Sequence, residues 1–200
     1  MFVSNPKLRI SPADMVQLLD EHHVAVLADD PRLRRHFTRV MIEHLRALPE
    51  TDVVSIDGTR LVDLPSIAGE LTRLADRPAG HVERMTIDDV IDLLRDWPGT
   101  PHHRYFFWRD ADVLLDADVD LFAELVNALF AVAAEREHLN AEPLILQRAI
   151  LVGNAKLGAY AEDENGQFFR WREDEDSSSP FWEILSCVER PPVITYRLDD

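Results

Sequence analysis

The sequence predicts a three-layer α/β domain in which a mostly parallel, five-stranded sheet lies between two layers of helices. Short apolar runs alternate along the chain with amphipathic stretches that have helical spacing. The apolar runs are continuous, which is typical of strands buried on both faces, and strands that alternate with helices favour parallel pairing. We therefore expect residues 1–23 to form an N-terminal helical segment and residues 24–200 to form a single α/β domain.

Five apolar runs are predicted to be the strands of this sheet. They are HVAVLA at 23–28, TDVVSIDG at 51–58, RYFFWRDADVLL at 104–115, RAILVGNA at 148–155 and PPVITYRL at 191–198. Ligands of such sheets bind at the carboxyl ends of the strands, so the residues there are the candidates for a site. We expect the strand that ends at Ala28 to lie inside the sheet, beside the strand that ends near Asp110.

Helices are predicted from apolar spacing and from residues that favour helix ends. They cover 11–23, 31–48, 64–75, 86–97, 116–139 and 177–189. Ser11 and Thr86 are suitable N-caps, and Asp89 lies three residues after Thr86, as in a capping box. Pro98 and Gly99 end the helix that begins there.

The charge and composition exclude several classes of protein. The chain has 37 acidic and 21 basic residues and a formal net charge of −16, which disfavours binding to nucleic acid. No apolar run is long enough to span a membrane, and the first residues do not resemble a signal peptide. Cys187 is the only cysteine, which fits a cytoplasmic location.

The polar residues after two of the strands carry a resemblance to a known family. Asp110 and Asp112 follow the aromatic run YFFW, and Asn154 follows AILVG. These segments resemble the Walker B strand and the sensor strand of P-loop NTPases of the AAA+ kind. The resemblance implies a P-loop NTPase-like sheet, with Asp110 and Asp112 near the metal and water-activating positions and Asn154 at the sensor position.

The phosphate loop is where the sequence departs from that family. In the slot of G-x-x-x-x-G-K-[ST], Asp29 stands for the first glycine, Arg34 for the second, Arg35 for the lysine and His36 for the hydroxyl residue. Glycines allow backbone N–H groups to close around phosphate oxygens, and Pro31 has no N–H to offer. Asp29 and Asp30 would also repel a polyanion. The sequence therefore predicts a degenerate P-loop domain that binds neither ATP nor GTP.

A second resemblance competes with the first. A strand that ends in the acidic pair Asp29 and Asp30 is similar to the start of a response-regulator receiver domain. That resemblance implies a phospho-switch in which Asp110 is the phosphorylated residue. Asn154 and Arg197 depart from the hydroxyl residue and the lysine that such a domain needs.

The acidic residues at the strand ends are also candidates for metal binding. Asp29, Asp30, Asp110 and Asp112 would together suit a weak Mg²⁺ site, because Mg²⁺ prefers oxygen ligands. The alternative is that these residues cap the helices that follow them. The histidines lack the spacing of a zinc site, and the sequence shows no arrangement of a nucleophile and a base, so no other cofactor is predicted.

These observations favour a non-catalytic AAA+-like domain that acts as a protein-interaction, assembly or regulatory subunit. The basic patch Arg32, Arg34, Arg35 and Arg39 is the candidate interface, with an acidic surface of a protein partner or of a second copy as its complement. Trp171 lies beside the acidic run at 172–176 and suits either an interface or a hairpin folded onto the domain. The alternative function is a metal-dependent enzyme that handles phosphate through Asp110.

Overall fold

The computed structural model describes residues 23–28, 31–78, 80–138, 144–162 and 193–196. The strands are β1 (Val24–Ala28), β2 (Thr51–Asp57), β3 (His103–Arg109), β4 (Leu146–Gly153) and β5 (Val193–Tyr196). The helices are α1 (Pro31–Arg46), α2 (Leu64–Leu74), α3 (Ile87–Arg95), α4 (Asp112–Ala117), α5 (Val119–His138) and α6 (Ala155–Glu162). Short 3-10 turns lie at Gly58–Arg60 and Val82–Arg84.

The strands form one sheet in the order β2-β3-β4-β1-β5, and all four pairings are parallel. The α/β class and the parallel sheet are confirmed, and β1 lies inside the sheet as predicted. The expectation that β1 lies beside β3 is wrong, because β4 is hydrogen-bonded between them. The strands β1, β3 and β4 are similar, mostly apolar runs that are buried along nearly their whole length, so the sequence held no signal for their order.

This strand order also corrects the receiver-like alternative. In the flavodoxin-like order of receiver domains, the first strand lies between the second and the third. Here β1 lies between β4 and β5. The receiver fold that the phospho-switch hypothesis for Asp110 requires is therefore not the fold of this chain.

Helices cover both faces of the sheet. On one face, α1 places Met41 and Leu45 on a cluster that includes Leu27, Phe107 and Val152. On the other face, side chains of α2 to α6 bury a larger cluster around the strands, including Val26, Phe106, Trp108 and Leu151 from β1, β3 and β4. Burial of successive side chains on opposite faces explains why the strands read as continuous apolar runs.

The helix cap predicted at Thr86 is formed in the structure, whereas Ser11 lies outside the described residues. The hydroxyl of Thr86 accepts a hydrogen bond from the backbone N–H of Asp89, and the Asp89 carboxylate accepts one from the N–H of Thr86 at 2.7 Å. A second capping box, between Asp63 and Ser66, begins α2. Each box satisfies N–H groups that a helix N-terminus otherwise leaves without partners.

Two predicted boundaries differ most from the structure. The strand predicted over 104–115 ends at Arg109, because Asp110 adopts a left-handed backbone with φ 51°, and residues from Asp112 onward are helical. The helix predicted over 116–139 begins at Val119, after a break at Asp118 that ends α4.

Several predictions fall outside the described residues. They concern the N-terminal helix, the helix at 177–189, Asp29, Asp30 and Trp171. The division into an N-terminal segment and one α/β domain also stays a prediction.

Candidate functional site

A cleft of about 540 Å³ lies between α1 and the carboxyl ends of β3 and β4. From α1 it is lined by Arg35, Thr38, Arg39, Ile42, Glu43 and Arg46, and from the strand side by Arg109, Asp110 and Val152. Four of these side chains are guanidinium groups and two are carboxylates. The cleft is therefore locally basic in a chain whose net charge is strongly negative.

The position of α1 follows from its apolar spacing. Met41 and Leu45 are fully buried against the sheet, and Thr38 is also buried. Arg35, Arg39 and Arg46 recur at intervals that share one side of a helix. The helix therefore anchors itself by its apolar face and presents these arginines along the cleft.

Asp110 enters the cleft from the end of β3. Its backbone has φ 51°, a left-handed conformation that is uncommon outside glycine but is tolerated best by Asn and Asp. The turn takes the chain out of β3 directly, so that only one residue separates Asp110 from the start of α4. This sharp turn sends Asp110 and Asp112 into different surroundings.

Asp112 links the end of β3 to the end of β4. Its Oδ1 accepts a hydrogen bond from the backbone N–H of Asn154 at 3.1 Å, and its Oδ2 accepts one from Nδ2 of Asn154 at 2.7 Å. Gly153 allows this approach, since a Cβ there would lie 2.6 Å from Oδ1 of Asp112. The backbone N–H of Ala111 also donates to the carbonyl of Val152 at 2.9 Å.

Asn154 is at the same time the N-cap of α6. Its Oδ1 accepts a hydrogen bond from the backbone N–H of Lys156 at 2.8 Å. The helix was not predicted from the sequence, although an asparagine directly after a strand is a helix-start signal. The sensor-like asparagine therefore positions a helix and holds a carboxylate.

The described residues of the predicted site fall into two groups. Asp112 and Asn154 are hydrogen-bonded to each other, whereas Arg35, Arg39 and Asp110 line the cleft. His36 is exposed and does not line the cleft. Arg32 and Arg34 belong to α1, but their side chains lie outside the described part of the structure.

Two cleft arginines, Arg46 and Arg109, were missed by the sequence reasoning. The helical spacing of Arg46 from Arg35 and Arg39 could have indicated that it lies on the same side of α1. Arg109 lines the cleft because β3 ends there. Nη2 of Arg109 lies 3.7 Å from Oδ2 of Asp57, at the end of β2. Both side chains are about half exposed, so this ion pair adds little to stability.

Asp57 carries a negative charge near the cleft. Hydrogen bonds from the hydroxyl and the backbone N–H of Thr59 lower the pKa of Asp57. Partial burial raises this pKa, but the positive charges of Arg109 and Arg60 lower it further. The carboxylate is therefore ionised at neutral pH and offsets part of the charge of Arg109.

The described residues contain no group of three or more His, Cys, Asp or Glu side chains arranged to hold a metal ion. Asp110 and Asp112, two of the four predicted Mg²⁺ ligands, have separate surroundings. Asp29 and Asp30 lie outside the described residues, so the full four-carboxylate site stays a prediction.

Replacing Asp112 with asparagine is expected to lower the free energy of unfolding by about 1–2 kcal/mol. The amide keeps the shape but replaces one acceptor oxygen with an NH2 donor, which would face one of the two N–H donors of Asn154. Urea denaturation measures the change, with Asp116→Asn as the matched control. Asp116 forms an exposed ion pair with Lys156, so its change is expected to cost less than about 0.5 kcal/mol. A stabilised Asp112→Asn protein would contradict the structural link.

The parallel sheet and the helices on both of its faces define a three-layer α/β domain. The chain is similar to the solved structure of the ORC2 protein of Aeropyrum pernix in its ADPNP and ADP complexes, with a TM-score of 0.56 and 11% sequence identity. The match covers 82% of this chain and 46% of the ORC2 chain, so this chain spans less than half of that protein's length. At this identity the similarity shows the fold alone.

No protein-family model matches the chain, and no curated protein matches it. Among the helices in the described residues, none combines the length and the apolar character that crossing a membrane requires.

Proposed function

We propose that this chain is a non-catalytic AAA+-like domain that works as a protein-interaction or assembly subunit. The observation that carries the proposal is the bonding of Asp112 at the Walker B-like position. Its side chain is buried, and each of its carboxylate oxygens accepts a hydrogen bond from Asn154. A carboxylate held in this way supports the junction of two strands and a helix, and we therefore assign Asp112 a structural role instead of metal binding or water activation.

The sequence of the phosphate-loop slot supports the same proposal. Residues 29–36 contain no glycine, and Pro31 offers no backbone N–H. A P-loop surrounds phosphate with a cradle of backbone N–H groups, and it needs glycines for the chain to close around the phosphate. This segment lacks the glycines and one of the N–H groups. Arg35 supplies a positive charge, but a single guanidinium does not replace the cradle.

Titration calorimetry with ATP and with GTP, each with Mg²⁺, is expected to give no binding in the micromolar range. The physical reason is the loss of the glycine cradle together with the acidic pair at Asp29 and Asp30. Arg35→Ala is the control variant, because Arg35 stands at the lysine position. Micromolar nucleotide binding that this variant abolishes would contradict the proposal.

The assembly role is tested by sedimentation velocity at low and high salt. An interface that depends on charge is expected to weaken as salt rises, because ions screen surface charges over about 10 Å at 0.1 M. Arg34→Glu with Arg35→Glu is expected to weaken it at low salt as well. A strict monomer under all conditions, with no partner recovered and a hydrolase activity that depends on Asp110, would overturn the proposal.

One observation favours a second candidate, the metal-dependent handling of phosphate through Asp110. Asp110 has a left-handed backbone and lines a cleft with four arginines, and unusual backbone conformations cluster at functional sites. Calorimetry with MgCl₂ and with inorganic phosphate tests this candidate. It requires Mg²⁺ binding that Asp110→Asn removes and that Asp116→Asn leaves unchanged.

A further inference from the structure

We infer that the cleft between α1 and the ends of β3 and β4 binds an extended acidic peptide segment of a partner protein. Arg39 and Arg46 would hold carboxylates of that segment. The inference rests on the proposed interaction function and specifies the chemistry of the partner and the place where it binds.

The first argument is that two of the cleft arginines have no hydrogen-bond or ion-pair partner among the described residues. In the described part of the chain, Arg39 and Arg46 are exposed and form neither a hydrogen bond nor an ion pair. The chain has 37 acidic residues for 21 basic ones, so intramolecular partners for arginine are abundant. Two guanidiniums that face one cleft without such partners remain able to bind carboxylates from outside, and bidentate pairs of this kind are strong.

The second argument is the spacing along α1. Arg39 and Arg46 are about 10 Å apart along the helix axis, from the rise per residue. An extended peptide places side chains of one face about 7 Å apart. A peptide with acidic residues at alternate positions therefore offers a carboxylate about every 7 Å, and the long, flexible side chains of Arg39 and Arg46 can each reach a different one.

The third argument concerns the type of anion. Glu43 and Asp110 lie among the arginines, and Thr38, Ile42 and Val152 complete the lining. A compact polyphosphate would bring its dense charge close to both carboxylates, where repulsion rises steeply at short distance. Separated carboxylates on an extended chain can each meet a guanidinium, while the backbone between them lies over the less polar residues. The arrangement therefore favours a peptide over a phosphate group.

The experiment uses the full chain and a fluorescein-labelled peptide of about ten residues in which Glu alternates with Ser. Fluorescence anisotropy is expected to show saturable binding that weakens as salt rises. Arg39→Glu and Arg46→Glu are each expected to weaken binding about tenfold or more, because each replaces attraction with repulsion at the contact.

Arg84→Glu is the matched control. Arg84 is exposed in a 3-10 turn whose Val82 packs on the opposite face of the sheet from α1, and its replacement changes the net charge by the same amount. It is expected to leave the affinity within about twofold, since distant surface charges are screened. Circular dichroism checks that all three variants are folded.

Three results would overturn the inference. They are the absence of saturable binding, equal weakening by all three variants, and displacement of the peptide by inorganic phosphate below the peptide's own Kd. Self-association that the peptide reverses and Arg46→Glu abolishes would overturn the choice of occupant in favour of a second copy of this chain. If the protein binds neither the peptide nor nucleotide, the inference fails and the proposed function stands. If the protein binds nucleotide, the proposed function is contradicted whether or not the peptide binds.

Discussion

Replacing Arg104 with alanine is expected to lower the free energy of unfolding by about 3 kcal/mol or more. Arg104 is fully buried in β3, where burial lowers its pKa and hydrogen bonding to Asp52 opposes that shift. Its Nε donates to Asp52 at 3.1 Å, and its Nη2 donates to the carbonyls of Pro98 and Gly99 at 2.7 and 3.1 Å. The alanine variant leaves these acceptors without their donor and opens a cavity.

Urea denaturation followed by tryptophan fluorescence measures this change. Arg84→Ala is the control, because Arg84 is exposed, and a change of less than about 0.5 kcal/mol is expected there. Pro98 and Gly99 lie in the turn before β3, and equal stability of the two variants would contradict a role of these Arg104 hydrogen bonds in holding that turn. A loss confined to Arg104→Ala would show that this turn depends on buried guanidinium bonds.

Replacing Gly58 with alanine is expected to destabilise the protein by about 2–3 kcal/mol. A Cβ at Gly58 would lie 2.2 Å from the carbonyl oxygen of Arg109 and 2.6 Å from that of Asp110. Both contacts are with backbone, which cannot rotate away as a side chain can. The end of β2 and the end of β3 would therefore have to separate, which would also shift the cleft side chains Arg109 and Asp110.

Gly80→Ala is the matched control for this substitution. A Cβ at Gly80 meets no atom within 4 Å, so the same chemical change is expected to be neutral or slightly stabilising. Thermal or urea denaturation of both variants measures the difference. If Gly58→Ala were as stable as Gly80→Ala, the result would contradict the close contact between Gly58 and the backbone at the end of β3.

The helix boundaries show how far local sequence reaches. Thr86 and Asp89 begin α3 through contacts within one turn of the chain, so their residue types were sufficient to predict the cap. The helix α6 was missed because its N-cap, Asn154, was interpreted as a sensor residue. The end of β3 was misplaced because apolar residues continue after Asp110, where the backbone turns sharply.

The candidate site was only partly predictable. The sequence placed Asp110, Asp112 and Asn154 at strand ends, and these residues do lie at one edge of the sheet. It did not indicate that Asp112 bonds to Asn154 while Asp110 faces arginines of α1. That separation depends on a left-handed residue between β3 and α4, for which the pattern of residue types gave no signal.

The sequence by itself determined the α/β class, the parallel sheet and most of the helices, because periodicity and capping act over a few residues. Only the tertiary structure decided the strand order, the bonding of Asp112 and the basic cleft. The apolar strands β1, β3 and β4 cannot be ordered from the sequence, since each is buried on both faces. Arg46 and Arg109 meet at the cleft because α1 packs across strands that are distant in the chain, and such contacts arise from packing alone.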